Sequence, residues 1–97
     1  MTMTLEILRS RRKEILLLAE HYKAEDVRVF GSVVRGDANE NSDVDLLVHF
    51  RTGASLFDLI GLQQDTSDLI HTKVDIVSDE GLSPYLARRI LNEAVAL

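Results

Sequence analysis

Gly31–Phe50 reads GSVVRGDANENSDVDLLVHF. It opens on a glycine–serine pair, crosses a polar loop, and ends in an apolar run with Asp43 and Asp45 at its start. In an extended segment, residues i and i+2 point to one face, roughly 6.5–7 Å apart at Cα. The two carboxylates are therefore expected to converge. Like charges in an apolar setting raise each other's pKa unless something positive sits between them. A hard divalent cation is the economical solution, because Mg2+ takes oxygen ligands and binds through one or two carboxylates.

Outward from this stretch the chain alternates helix and strand signals. Val44–Phe50 predicts a strand that is almost continuously apolar after Asp45, and so covered on both faces. Before it, AEDVRVFG predicts a short strand with Val27 and Val29 on one face and Gly31 at its end. Ser32 to Gly36 predicts a tight turn entering a short helix, and DANENS a loop of residues that bond their own backbone. Residues 4–23 predict one helix, with Thr4 as N-cap and Leu8, Ile15, Leu18 and Tyr22 at helical spacing. Ser55–Ile70 predicts another, with Leu56, Leu59, Ile60, Gln63 and Leu69 near the right spacing. Lys73–Ser78 predicts a third strand. SPYLARRILNEAVAL predicts a closing helix, with Ser83 at the N-cap and Pro84 at the first helical position. The expected fold class is α/β (α+β): helices packed on a small mixed β-sheet, one domain over residues 1–97.

Bulk properties narrow the function. The 97 residues suffice for one small domain, and 45% apolar content argues against disorder. The absence of cysteine excludes disulfides and thiolate metal sites and fits a reducing cytoplasm, the expected location. No apolar run approaches the roughly 20 residues of a membrane helix. The N-terminus mixes charges throughout and lacks a signal-peptide layout, so the chain reads as soluble and unprocessed. A net charge of −5 disfavours nucleic acid as a direct partner. The basic clusters Arg9-Arg11-Arg12-Lys13 and Arg88-Arg89 read as solvated helix faces.

Asp75, in KVDIVS, is a lone carboxylate in an apolar strand. If that strand pairs with residues 44–49, three carboxylates reach one site. They would then hold two metals about 3.5–4 Å apart, the arrangement used for in-line phosphoryl and nucleotidyl transfer. Gly31-Ser32 supplies a complement. A glycine at a strand end lets a phosphate approach the backbone, and the following amides point at it. The Ser32 hydroxyl adds a hydrogen bond. Arg35, one turn on, reads either as a triphosphate contact or as a structural ion pair.

GSVVRGDANENSDVDLLV resembles the signature of the nucleotidyltransferase superfamily that includes DNA polymerase β. The pattern is Gly-Ser, then Asp-x-Asp on the next strand, then Asp on a later strand. Gly-Ser-x-x-Arg-Gly followed by Ser-Asp-x-Asp-Leu is most similar to the minimal nucleotidyltransferases, stand-alone domains usually encoded beside a HEPN-domain toxin. The resemblance implies a nucleotidyltransferase core fold and transfer of AMP from ATP to a tyrosine hydroxyl of that toxin. It implies Asp43, Asp45 and Asp75 as catalytic, metal-binding residues for two Mg2+ ions, with Mn2+ as the alternative. Gly31, Ser32, Arg35 and Ser42 would be the nucleotide-binding residues, and homo- or hetero-oligomers are expected. Val34 departs from the pattern, since relatives often carry a small residue there.

Other readings are weaker. Asp37–Val48 is not a calcium loop, because Ser42 stands where the turn glycine belongs and Val48 where the bidentate glutamate does. No Gly-Lys-Ser/Thr follows the glycines, so there is no P-loop. His21, His49 and His71 lack metal-ligand spacing; His21 and His71 read as exposed helix ends, and His49 lining the site from its strand is the minor reading. Two functional alternatives stand beside the enzyme: a non-catalytic antitoxin that neutralises its partner by binding, and a transferase acting on a small molecule such as an antibiotic.

Overall fold

The computed structural model describes residues 2–97. Two short helices come first, α1 (Leu5–Ser10) and α2 (Arg12–His21). The Thr4 hydroxyl caps α1, accepting from the Ile7 amide at 3.1 Å. The single helix expected over 4–23 is thus broken at Arg11, which leaves helical geometry (φ −105°, ψ 15°). Arginine is a good helix former, so no local preference explains the break. A tertiary contact accompanies it: Arg9 donates to the carbonyls of Ala96 (2.7 Å) and Leu97 (3.2 Å) at the far end of the chain.

Strand β1 (Ala24–Phe30) leads through Gly31 into α3 (Ser32–Arg35). Asp26 takes a positive φ of 53°, and the pairing register shifts between Glu25 and Arg28. This bulge explains why Ala24, Val27 and Val29 are all buried, against strict alternation. Strand β2 (Val44–Phe50), helix α4 (Leu56–Ile70) and strand β3 (Val74–Ser78) follow as expected, whereas the closing helix α5 (Pro84–Glu93) stops at Glu93 rather than running to Leu97, because Ala94 turns extended to feed a strand. Ser83 caps α5 and Pro84 opens it. A further strand, β4 (Val95–Ala96), was not anticipated; it pairs antiparallel with Arg28 and Val29 of β1.

The sheet order is β3-β2-β1-β4, with β2–β3 parallel and the other pairs antiparallel. The mixed sheet expected from sequence is therefore present. One face presents Val29, Val44, Leu46, Val48, Val74 and Ile76, which form the core with Leu8, Ile15, Ala19, Leu62 and Ile70 from the helices. Leu47 points to the opposite face and is also buried, so β2 is covered on both sides. The buried stripe of α4 is Leu62, Thr66 and Ile70. Leu56 and Ile60, expected inward, are instead exposed. Gln63 and Ser67 take a different task, accepting from the Ile76 and Val74 amides at 3.0 and 2.9 Å. These bonds cover the open edge of β3, where unpaired amides would otherwise invite another strand.

Candidate active site

Strand register brings the site together. Phe30, Asp45 and Asp75 form one row across β1, β2 and β3. Asp45 and Asp75 are thus neighbours on the face opposite the main core. Gly31 follows Phe30 with φ +81°, a conformation open to glycine and costly for other residues. A Cβ added to it would also clash with the Asp45 side chain, at Oδ2 first. Gly31 is required twice over, by dihedral and by contact.

Burial pushes the Asp45 carboxyl above its ordinary pKa; the charges of Asp75 and Asp43 push further, and Arg35 pulls the other way. Asp43 lies just ahead of β2, and Lys73 approaches its Oδ2 at 3.5 Å. Asp43 lines a depression with Asn39, Ser42, His71 and Lys73, whereas Asp45 lines a cleft with Gly31 and Arg35. Ser42 closes the loop, its hydroxyl accepting from the Asn39 amide at 2.9 Å. The donor set at Asp43, Asp45 and Asp75 is all carboxylate oxygen, with too little positive charge to balance it. That chemistry fits a hard divalent cation.

A different trio is the tight one. His49, Asp79 and Glu80 are the group of potential ligands, among the described residues, whose atoms all lie within 4.8 Å of one another. His49 Nδ1 is 3.0 Å from Asp79 Oδ1, and that hydrogen bond raises the His49 pKa. His49 shares a face with Asp45 and Leu47 but sits near the other end of β2. Its partner is therefore Asp79, and it does not join the row of Asp45 and Asp75.

The structure adds a residue that sequence reasoning missed. Glu93, the last residue of α5, accepts from the Gly31 amide at 3.1 Å and from Arg35 Nη1 at 2.7 Å. Arg35 also reaches Asp37 at 3.3 Å. The Arg35 hydrogen bond, helped by the Gly31 amide, lowers the Glu93 pKa. A cleft of about 260 Å3 lies here, walled by Phe30, Gly31, Arg35 and Asp45 on one side and by Leu86, Ile90 and Glu93 of α5 on the other. One local signal marked Glu93. An acidic residue in the last helical turn opposes the helix dipole, so its place there calls for a tertiary partner.

A small mixed sheet that sets a strand-end glycine against paired strand aspartates defines a nucleotidyltransferase-type domain. The chain belongs to the family described as "Nucleotidyltransferase domain", whose model matches residues 6–97. It is 39% identical over 89 residues to "Protein adenylyltransferase MntA" of Thermococcus cleftensis, covering 92% of this chain and 87% of that one. A solved structure described as a "putative minimal nucleotidyltransferase" is 48% identical, with a TM-score of 0.87 over 98% of this chain and 97% of the other. A toxin–antitoxin crystal structure with AMP-PNP shares the fold at 22% identity and a TM-score of 0.74, over 87% of this chain and 69% of that one.

Proposed function

We propose that this protein is a protein adenylyltransferase that moves AMP from ATP to a tyrosine hydroxyl of a HEPN-domain toxin and so acts as its antitoxin. The observation that carries the reading is the packing of Gly31 against Asp45, with Asp75 beside it. It joins a backbone that a phosphate can approach to a cluster of carboxylates that needs a cation. The kinship with an adenylyltransferase across nearly the whole chain supports the donor and the class of acceptor. The toxin–antitoxin fold relative with AMP-PNP supports the setting.

In this reading the Gly31 and Ser32 amides, the Ser32 hydroxyl and the Arg35 guanidinium hold the β- and γ-phosphates. Asp43, Asp45 and Asp75 hold Mg2+, which when bound neutralises the polyphosphate and lowers the pKa of the acceptor hydroxyl. The tyrosine hydroxyl releases its proton to solvent, its oxygen attacks the α-phosphorus, the bond to the oxygen bridging the α- and β-phosphorus breaks, and pyrophosphate leaves. Ser42, whose hydroxyl closes the loop before Asp43, lines the depression that holds Asp43 and contacts the nucleotide from there.

The test is the intact mass of the cognate toxin after co-expression with wild type or with Asp43→Asn/Asp45→Asn. Added nucleotidyl mass with wild type alone is expected. An unmodified toxin that is still neutralised would replace this reading with antitoxin action by binding.

A further inference from the structure

We propose that Glu93 is a latch on the nucleotide cleft, its carboxylate occupying the donors that a phosphate of the substrate would take. The inference rests on the reading of Gly31 and Arg35 as phosphate-binding groups and adds a regulatory step to it.

Three observations carry it. The first is the pairing of groups. The two Glu93 oxygens accept separately from the Gly31 amide and the Arg35 guanidinium. A carboxylate in this position presents the charge and acceptor geometry of a phosphate edge. While it stays, the Gly31 amide and Arg35 Nη1 are taken, and its charge adds to that of Asp45 in repelling a polyphosphate.

The second is space. The cleft of about 260 Å3 falls below the roughly 300–1,000 Å3 of pockets that enclose a small-molecule ligand. Its outer wall is α5 itself, through Leu86, Ile90 and Glu93. As it stands, α5 narrows the cleft beside Gly31 and Arg35, and moving it outward would widen the space for a polyphosphate.

The third is how loosely the wall is held. No residue of α5 is buried, and Leu86 and Leu91 remain 46% and 47% exposed. Segments with so little buried apolar surface open at the low end of the stability range. Beyond α5 the chain is anchored, because β4 pairs with β1 and the Leu97 amide donates to the Val27 carbonyl at 3.2 Å. Release therefore takes a rotation of the Glu93 side chain with a tilt of α5 about Ala94, leaving β4 in place.

The full-length chain is titrated with a non-hydrolysable ATP analogue and Mg2+ by calorimetry. If about a tenth of molecules are unlatched, Glu93→Ala tightens the apparent dissociation constant roughly tenfold. Glu93→Gln, which keeps an acceptor but loses the charge, lies between the two and carries the test if the alanine variant does not fold. Unchanged or weaker binding in the Glu93 variants overturns the latch and makes Glu93 a support for Arg35. The underlying reading is checked separately by adding Arg35→Ala to the Glu93→Ala chain. Weaker binding there upholds the phosphate contact whatever the latch does. Unchanged binding there, or no binding by any variant, removes that contact and the latch with it.

Discussion

Asp45 and Asp75 stand opposite one another in the parallel pairing of β2 and β3. Adjacent strands lie about 4.8 Å apart, so the fold holds two carboxylates closer than their mutual repulsion favours. Burial compounds this for Asp45 and raises its pKa. The native state then binds more protons than the unfolded chain, from the ordinary aspartate range up to the raised value. Stability falls as pH rises through that window. Asp45→Asn removes the loss. Its melting temperature should exceed that of wild type by a few degrees near pH 7, and match it near pH 3, where both forms are uncharged. Adding Mg2+ should stabilise wild type and leave Asp45→Asn nearly unmoved, because only a cation bound by the native state shifts the transition. A wild-type melt indifferent to Mg2+ would remove the metal assignment.

Gly31 tolerates no side chain. Gly31→Ala meets both a positive φ and the Asp45 carboxylate. A forced left-handed residue costs of order 1–3 kcal/mol, and displacing Asp45 adds to it. The variant should lose roughly 2–4 kcal/mol in urea denaturation, and transfer activity with it. Gly53→Ala makes a control, since it shares a positive φ but a Cβ there meets nothing within 4 Å. It should cost stability by its dihedral alone and spare activity.

The residues of the candidate site also show what the sequence made legible. Gly31, Asp45 and Asp75 announce themselves because each breaks a local rule: a glycine ending a strand, and charges inside apolar runs. β1, β2, β3 and the longer helices follow from periodicity and from end signals such as Ser83-Pro84. The features that stayed hidden have their causes far along the chain. The break at Arg11 accompanies bonds from Arg9 to the carbonyls of Ala96 and Leu97. β4 is two residues long and exists because β1 offers it an edge. The bulge at Asp26 uses a positive φ on a residue other than glycine. Gln63 looked like part of an apolar stripe but serves the edge of β3. Glu93 joined the cleft only once α5 was placed over Asp45.

His49 gives a pH dependence of the same sign, in the histidine range. Its hydrogen bond to Asp79 raises its pKa. The stabilisation this provides is complete below the ordinary histidine value and disappears as pH rises through the raised one. Asp79→Asn should therefore lower the His49 pKa measured by NMR. It should also lower the melting temperature near pH 5.5 while leaving it unchanged near pH 8.5. Equal loss at both values would mean that Asp79 acts through something other than the charge on His49.

Away from the site, Tyr22 and Gly61 lock α2 to α4. The Tyr22 ring lies where a side chain on Gly61 would go. Its hydroxyl donates to Asp65, one turn further along α4, and that bond raises the tyrosine pKa. The ring is thus held at both ends and has little freedom to yield. Alanine is the better helix former by about 1 kcal/mol, so on an unobstructed helix Gly61→Ala would stabilise. Here overpacking, typically about 1–3 kcal/mol, should outweigh that gain and make Gly61→Ala destabilising. In a Tyr22→Ala background the obstruction is gone, and the same substitution should change sign and stabilise. A double-mutant cycle by urea denaturation reads the difference directly. Additive effects would show that the ring moves aside at no cost, and that Gly61 is not held as glycine by Tyr22.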